Sequence, residues 1–470
     1  MSASSRGGAS SLESLLAGVG NIAEFLRNQQ AGPNVYPGVP AEYTNWRDEQ
    51  RAWQQTCVLF NQSYHMAELM IEGPDALEFL SGLGINSFKG FAPDKAKQFV
   101  PCSHDGHVIG DVILFYLAEN QFNMVGRAPT LNWVSYNAEI SGRRVTLSYD
   151  ERTAARPDPQ NRRHYRYQLQ GPNASKVIES ATGRPAPDLK FFNLCWMEIA
   201  GRKVRALRHG MAGQPGFELM GPWADGPIIH AALLEAGKAH GLTLVGGRCY
   251  SSNTLESGWI PSPLPAVYTG EKMKPYREWL TVDHYEAKAS IGGSFVSDKV
   301  EDYYLTPWEL GYGFFVKFDH EFIGRAALEK MAQGPHRKKV TLALDNVSVT
   351  DALYTMFDEG LRAKFIEFPS AVYSMHPFDR VTVDGKLAGL STWIGYSANA
   401  GKMLTLAMLD ERHAVPGTEV NFHWGEPGGG TAKPTVERHK QVEIKAVVSP
   451  LPYSNVARTI YAKSWRNKAG

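Results

Sequence analysis

Arg208-His209-Gly210-Met211-Ala212-Gly213-Gln214-Pro215-Gly216-Phe217-Glu218-Leu219 sets three glycines and a proline ahead of one acidic residue. Glycine frees the backbone and proline stiffens it at a turn, so the stretch reads as a tight loop that fixes the carboxylate of Glu218. A fixed carboxylate accepts a parallel pair of hydrogen bonds, which suits a ligand with adjacent N–H donors, such as a pterin or guanidinium edge. That geometry points to a folate. Downstream come Gly247-Arg248-Cys249-Tyr250 and Leu255-Glu256-Ser257-Gly258-Trp259, a second cluster of polar and aromatic residues around glycines.

The chain has 470 residues, with 49 Lys and Arg against 48 Asp and Glu, a formal net charge of +1. Such a balance offers no field to recruit nucleic acid or an acidic membrane, and neither is expected as a partner. At roughly 150 residues per domain the length predicts about three domains. Cys57, Cys102, Cys195 and Cys249 lie apart without a C-x-x-C pair, so neither a zinc site nor a disulfide framework is expected, and the pattern fits a reducing cytoplasm. No apolar run approaches the roughly 18 residues of a membrane span, and Glu13 and Glu24 interrupt the leucine-rich N-terminal piece. A soluble protein without a signal peptide is expected.

One pattern occurs twice. Glu68-Leu69-Met70-Ile71-Glu72-Gly73-Pro74-Asp75-Ala76 and Tyr167-Gln168-Leu169-Gln170-Gly171-Pro172-Asn173-Ala174 each read as a strand, a Gly-Pro turn and the start of an amphipathic helix capped by Asp or Asn. Duplication accounts for both copies and predicts two related α+β halves. Ahead of them Ser10 and Glu13 have capping-box spacing, and Leu12, Leu15, Leu16, Val19, Ile22 and Leu26 recur at helical intervals. A starter helix after a floppy head is expected, for packing or dimer contact. The Pro- and Arg-rich stretch from Arg152 to Arg163 separates the halves and reads as a surface loop, since charge runs usually face water. After Gly334-Pro335 come short alternating runs, Lys338 to Leu344, Val381 to Gly385, Leu387 to Ile394, Met403 to Leu409, Glu419 to Trp424 and Gln441 to Val448, which predict a small β-barrel.

Three tempting motifs fail. Gly395 to Met403 has one residue too many for a phosphate loop, and Met403 where a magnesium-binding hydroxyl belongs, so it reads as a barrel turn. Gly428-Gly429-Gly430 precedes no helix and reads as a flexible hairpin tip. His104 and His107 flank Asp105 and Gly106 without further partners, and a solvated turn is expected rather than a metal site.

The stretch around Glu218 resembles the R-x-G-x-x-G-x-x-G-F-E element of the aminomethyltransferase family, typified by the T protein of the glycine cleavage system, whose members bind tetrahydrofolate. The Gly-Pro repeat resembles that family's duplicated fold. Pro307-Trp308-Glu309-Leu310-Gly311 and Asp319-x-x-Phe322-Ile323-Gly324-Arg325 resemble the approach to its C-terminal barrel. The resemblance spans about residues 45 to 450 and implies an α+β, T-protein-like folate-binding fold. It divides the chain into an N-terminal helix and arm (1–44), a first α+β half (45–160), a second half (161–335) with the folate site between the halves, and a C-terminal barrel (336–470).

One departure bears on the chemistry. Where the T protein usually carries paired aspartates this chain has Gly110-Asp111, which removes an acid suited to amine chemistry and makes a different methyl donor the expectation. Tyr36 in Val35-Tyr36-Pro37, His65 in Ser63-Tyr64-His65-Met66, Arg127 in Val125-Gly126-Arg127-Ala128-Pro129, and Tyr250 with the run from Ser252 to Pro265 resemble a narrower group. These are the tetrahydrofolate-dependent O-demethylases of lignin-derived methoxybenzoates, of the vanillate and syringate type.

Moving a methyl group from an aryl ether to N5 of tetrahydrofolate leaves a phenolate, so a proton donor at the ether oxygen lowers the barrier, and Tyr250 is the candidate acid. A benzoate carboxylate suits bidentate arginine, and Arg127, following the apolar run Phe122 to Gly126, is placed at a strand end as its anchor. His65 and Tyr36 are assigned to the substrate, and Glu218, Trp259, Arg248 and Val125 to the folate. Ser251 and Cys249 are small and compatible with a roomier pocket, which makes syringate the expected substrate ahead of vanillate or 3-O-methylgallate. No metal or flavin site is visible, so activity is expected to survive chelators. Two alternatives stay open: a folate-linked C1 transferase acting on amines, and a noncatalytic folate-binding assembly factor, whose K-G-C-Y-x-G-Q-E pattern shares Gly247, Cys249 and Tyr250 here. The starter helix leaves a homodimer open.

Overall fold

Residues 10–33, 35–155, 162–261 and 263–461 are described in a computed structural model. Among the described residues, two large sheets, a barrel and one short two-stranded pair, Ile291–Gly292 with His376–Pro377, make up the β-structure. The first sheet is antiparallel throughout, in the order Lys95–Phe99, Val112–Ala118, Gln121–Gly126, Ala67–Glu72, Thr146–Asp150. The second runs Leu242–Val245, Cys57–Asn61, His164–Gln170, Gly216–Pro222, Arg202–Arg208, Leu194–Ile199, with only the first pair parallel. Strand Cys57–Asn61 precedes the first sheet in sequence yet hydrogen-bonds inside the second, so the chain crosses between sheets immediately after it.

The repeated turn has the same geometry in both copies. Strand Ala67–Glu72 leads to helix Ala76–Ser81, and strand His164–Gln170 to helix Ala174–Thr182. Gly73 and Gly171 take φ of +138° and +121°. A Cβ would lie 2.1 Å from the Arg144 carbonyl oxygen at the first and 2.6 Å from that of Thr56 at the second. Each turn is therefore pressed against neighbouring backbone, an approach that only glycine permits. Asp75 and Asn173 stand at the N-cap positions but do not cap. Asp75 accepts from the Arg144 backbone and guanidinium, and the Asn173 side-chain amide donates to the His240 carbonyl. Both reach across to an adjacent segment, which fixes the turn rather than the helix end.

The single starter helix expected from the leucine spacing is two helices, Leu12–Ala17 and Ile22–Asn28, with Gly18 and Gly20 between them. The cap is Ser11, whose hydroxyl accepts from the Ser14 amide, and not the Ser10–Glu13 pair. Glu13 instead pairs with Arg277. Leu12, Leu16, Ala23 and Leu26 are buried in the central core of this same chain, which accounts for their spacing by internal packing. Residues 1–9, the expected floppy head, lie outside the described residues.

The barrel closes in the order Lys338–Leu344, Lys402–Leu409, Lys386–Ser397, Asp379–Val383, Glu419–Trp424, Val442–Ser449. Alternate residues such as Leu342, Val381, Phe422 and Ile444 fill its interior. The Gly395–Met403 stretch is a hairpin between two barrel strands, and the backbone of Gly401 closes its turn onto Ser397. Gly429, read as part of a flexible tip, is buried, and its amide and carbonyl bond Glu426 and His439. His104 to His107 form a turn closed by pairing of Cys102 with Val108. Of the Arg152–Arg163 stretch, residues 156–161 lie outside the described residues, and Arg162 does not face water: it is buried against Asp150 at 3.0 Å and donates to the Ser63 and Met66 carbonyls. Among the described residues no helix is long and apolar enough to cross a membrane, and no group of three His, Cys, Asp or Glu side chains is arranged to hold a metal ion.

Candidate active site

Between the two sheets, and roofed by segments leading to the barrel, lies a cavity of about 420 Å³. Strand His164–Gln170 lies behind one wall of it and supplies buried polar groups there. Tyr165, Tyr167 and Leu169 belong to the apolar core on one face, so Arg166, Gln168 and Gln170 share the other and are buried there. Glu218, on the neighbouring strand, stands opposite Gln168 in register, on that polar face. Its Oε1 accepts from Arg166 Nη1 at 2.8 Å, and its Oε2 is 4.0 Å from His209 Nδ1. Burial raises the Glu218 carboxyl while Arg166 pulls it down. The loop ahead of it is held by Gln170, whose Oε1 accepts from the Met211 amide, and by Gln168, whose amide donates to the His209 carbonyl.

A second wall is aromatic. Tyr250 ends the short helix Gly247–Tyr250, and its hydroxyl accepts from Gln62 Nε2 at 3.1 Å and lies 3.1 Å from His65 Nε2. Tyr36 packs on both His65 and Tyr250, with ring centroids 5.0 and 4.8 Å apart, and Phe60 closes the far side of Tyr250. Burial pushes the Tyr250 phenol above its ordinary value and Tyr36 up to about 12. Burial, aided by the positive charge of Arg127, depresses His65 to about 3, so its imidazole is neutral throughout the physiological range. Its Nδ1 and Gln62 Oε1 are buried without a hydrogen-bond partner.

Arg127 follows strand Gln121–Gly126 and is the N-cap residue of helix Ala128–Ser141. Its Nη1 is buried without a partner, a donor held ready beside the Tyr36, His65 and Tyr250 cluster. Tyr285, at the start of helix Tyr285–Lys288, lines the same cavity and feels the Arg127 charge. Trp259, 38% exposed, and Phe314, 62% exposed, line the cavity at its open side. Trp259 Nε1 donates to Tyr312 Oη at 2.8 Å and to Asp111 Oδ2 at 3.2 Å, and the Tyr312 hydroxyl donates to Asp111 at 2.9 Å.

Seven of the eight residues singled out from the sequence line this one cavity: Tyr36, His65, Val125, Arg127, Glu218, Tyr250 and Trp259. Arg248 does not. It is exposed, pairs with Glu42 at 2.6 Å and donates to the Phe368 carbonyl, because a helix that turns Tyr250 inward turns the residue two before it outward. Gln62, Arg166, Tyr285 and Tyr312 were missed. For Arg166 a signal existed: polar residues at every second position of a strand whose other face is apolar mark a buried polar surface. Glu256, inside the most distinctive run, is structural; it accepts from Trp53, Gln54, Ser397 and Asn399 and ties that run to the barrel.

The GCVT N-terminal domain family matches residues 22–262. Syringate O-demethylase of a Sphingobium species is 64% identical over 460 residues, covering 98% of this chain and 99% of that protein. Sesamin methylene transferase of a Sinomonas species is 28% identical, covering 89% and 91%. The crystal structure of the glycine cleavage system aminomethyltransferase T from Bartonella henselae has the same fold, with a TM-score of 0.60, 20% identity and coverage of 92% of this chain and 96% of that one.

Proposed function

The chain belongs to the GCVT family, that of the aminomethyltransferases, and we propose that within it the protein is a tetrahydrofolate-dependent O-demethylase of methoxybenzoates, with syringate its preferred substrate. The observation that carries this reading is the meeting, in one cavity, of a phenol, a guanidinium with a free donor and a buried carboxylate: Tyr250, Arg127 and Glu218.

Each group suits one part of the reaction. Tetrahydrofolate supplies the N5 lone pair that takes up the methyl group. Glu218, with Oε1 committed to Arg166, offers Oε2 to the N–H edge of the pterin. Arg127 Nη1 meets the benzoate carboxylate, and the ring then lies toward Tyr36 and His65. As the methyl C–O bond breaks, Tyr250 gives its proton to the departing oxygen. Two donors onto the Tyr250 oxygen, Gln62 Nε2–H and the Nε2–H tautomer of neutral His65, direct that proton into the cavity and stabilise the tyrosinate left behind. The proton lost by N5 balances the one delivered, so the phenol of Tyr250 is restored. Such acid help is worth typically about 10²–10⁴-fold, and the rest comes from holding the methyl carbon in line between oxygen and nitrogen. The reading also places the protein in the cytoplasm, which its four free cysteines support.

The test mixes purified protein with tetrahydrofolate and, separately, syringate, vanillate and 3-O-methylgallate under anaerobic conditions. Equal formation of 5-methyltetrahydrofolate and the demethylated phenol is expected, fastest with syringate. Folate binding without either product would sink the substrate class and turn attention to methylated amines.

A further inference from the structure

Three charged residues are stacked across the junction of the two sheets, Glu218 on the cavity wall and Arg166 and Glu68 behind it. Glu68 comes from the first sheet, and Arg166 and Glu218 from the second. All three are at most 2% exposed. Arg166 donates through Nε to Glu68 Oε1 at 3.0 Å, through Nη2 to Glu68 Oε2 at 3.2 Å, and through Nη1 to Glu218 Oε1 at 2.8 Å. Its guanidinium also lies 5.1 Å over the ring of Phe115, a first-sheet residue. One planar fork thus serves two carboxylates at once, which a lysine ammonium lacks the geometry to do.

The two carboxylates are not equivalent. Glu68 is saturated: besides Arg166 it accepts from Asn123 Nδ2 and meets His164 Nδ1, both at 2.8 Å. Glu218 has Arg166 on Oε1 and, on Oε2, His209 no nearer than 4.0 Å. Burying two carboxylates against one guanidinium leaves an excess negative charge, and its less satisfied end faces the ligand cavity. An N–H-rich ligand edge completes that unit.

We propose that Arg166 is the positioning residue for the folate-binding carboxylate of Glu218: it keeps Glu218 ionised and aimed by tying it to Glu68 on the other sheet. This rests on the reading above, in which Glu218 meets the pterin. Arg166 lines no part of the cavity and acts only through Glu218. Without it, Glu218 is left with the repulsion of Glu68, with His209, Gln168 and Tyr250 around it and His164 already engaged on Glu68, so it protonates at higher pH and loses the negative charge that the N–H edge meets.

The test is calorimetric binding of tetrahydrofolate to the full chain between pH 6 and 9, for wild type, Arg166→Met and Arg166→Lys, which reads the site without needing turnover. Arg166→Met is expected to bind at least tenfold more weakly at pH 7.5, with its affinity loss on the acid side beginning a unit or more higher, while its KM for syringate stays within twofold of wild type. Arg166→Lys, keeping the charge but not the fork, should recover part of that affinity. Wild-type folate affinity in Arg166→Met across the range, or equal weakening for both substrates with no pH displacement, overturns the proposal. Should Arg166→Met fail to fold, Arg166→Lys is measured alone and in Glu218→Gln. Its effect should vanish in that background, and additivity overturns the idea. If wild type binds folate but demethylates no benzoate, the substrate reading fails while the binding comparison still decides the role of Arg166.

Discussion

The Tyr250 hydroxyl lies 3.1 Å from His65 Nε2, and that imidazole, depressed to about 3, is neutral. In its Nε2–H tautomer this neutral imidazole donates to the phenol oxygen, and under the proposed mechanism His65 and Gln62 together orient Tyr250 as the acid. Tyr250→Phe removes the proton while keeping the ring that packs on Tyr36 and Phe60. The expected outcome is a loss of kcat of about 10²-fold or more, with folate affinity unchanged by calorimetry. Wild-type turnover in this variant would remove Tyr250 as the acid.

Arg127 carries a buried Nη1 with no partner, and a buried donor left unsatisfied is costly unless a ligand meets it. Arg127→Ala should lose about 1.5–3 kcal/mol of substrate binding, roughly 10–100-fold in kcat/KM for syringate, with KM for tetrahydrofolate little changed. The aldehyde analogue of syringate lacks the carboxylate charge. Wild type should use it poorly, and the gap between wild type and Arg127→Ala should shrink on it. An equal loss on acid and aldehyde would place the carboxylate elsewhere.

What was legible in the sequence was local. The glycine loop before Glu218, the doubled Gly-Pro turn and the alternating barrel runs are decided by residues a few positions apart, and each occurs where its pattern put it. What was not legible depends on distant partners. Glu68 and Arg166 are 98 residues apart, and Gln62 and Tyr250 are 188 apart. Strand Cys57–Asn61 pairs with strands more than 100 residues on, and its buried residues gave no local sign of which sheet it would enter. Arg248 shows the converse failure. Its motif placed it beside the acid, but helical geometry and the nearby Glu42 carboxylate took its side chain outward.

Asp111 is the acid left where relatives of the T protein type are expected to carry two, and its Oδ2 gathers Gln98, Trp259 and Tyr312. Asp111 thereby fastens the Trp259 indole at the open side of the cavity, and under the proposed folate role of Trp259 the carboxylate would act on folate binding through it. Asp111→Ala leaves Trp259 bonded to Tyr312 alone. KM for tetrahydrofolate should rise roughly tenfold, about the worth of one charge-assisted hydrogen bond, with KM for syringate within twofold. A fall in kcat with both KM values unchanged would instead put Asp111 in the chemical step.

Glu286 sets a pH dependence of stability. It is fully buried behind the cavity on helix Tyr285–Lys288, accepting from Asn132 Nδ2 and the Tyr276 hydroxyl. Burial raises its carboxyl from 4.5 to about 7. The folded state therefore holds this proton more tightly than the unfolded chain does. Its contribution is complete below about pH 4.5 and is lost as the pH rises through about 7, a change on the order of 3 kcal/mol. Glu286→Gln keeps the shape and an acceptor for Tyr276 but has no proton to lose. At pH 8 its Tm should exceed that of wild type by several degrees, and the difference should shrink or reverse at pH 5. Parallel Tm profiles across that range would show that Glu286 ionises as freely in the fold as in water. Because Tyr285 beside it lines the cavity near Arg127, the same variant should also flatten any decline of syringate affinity between pH 7 and 8.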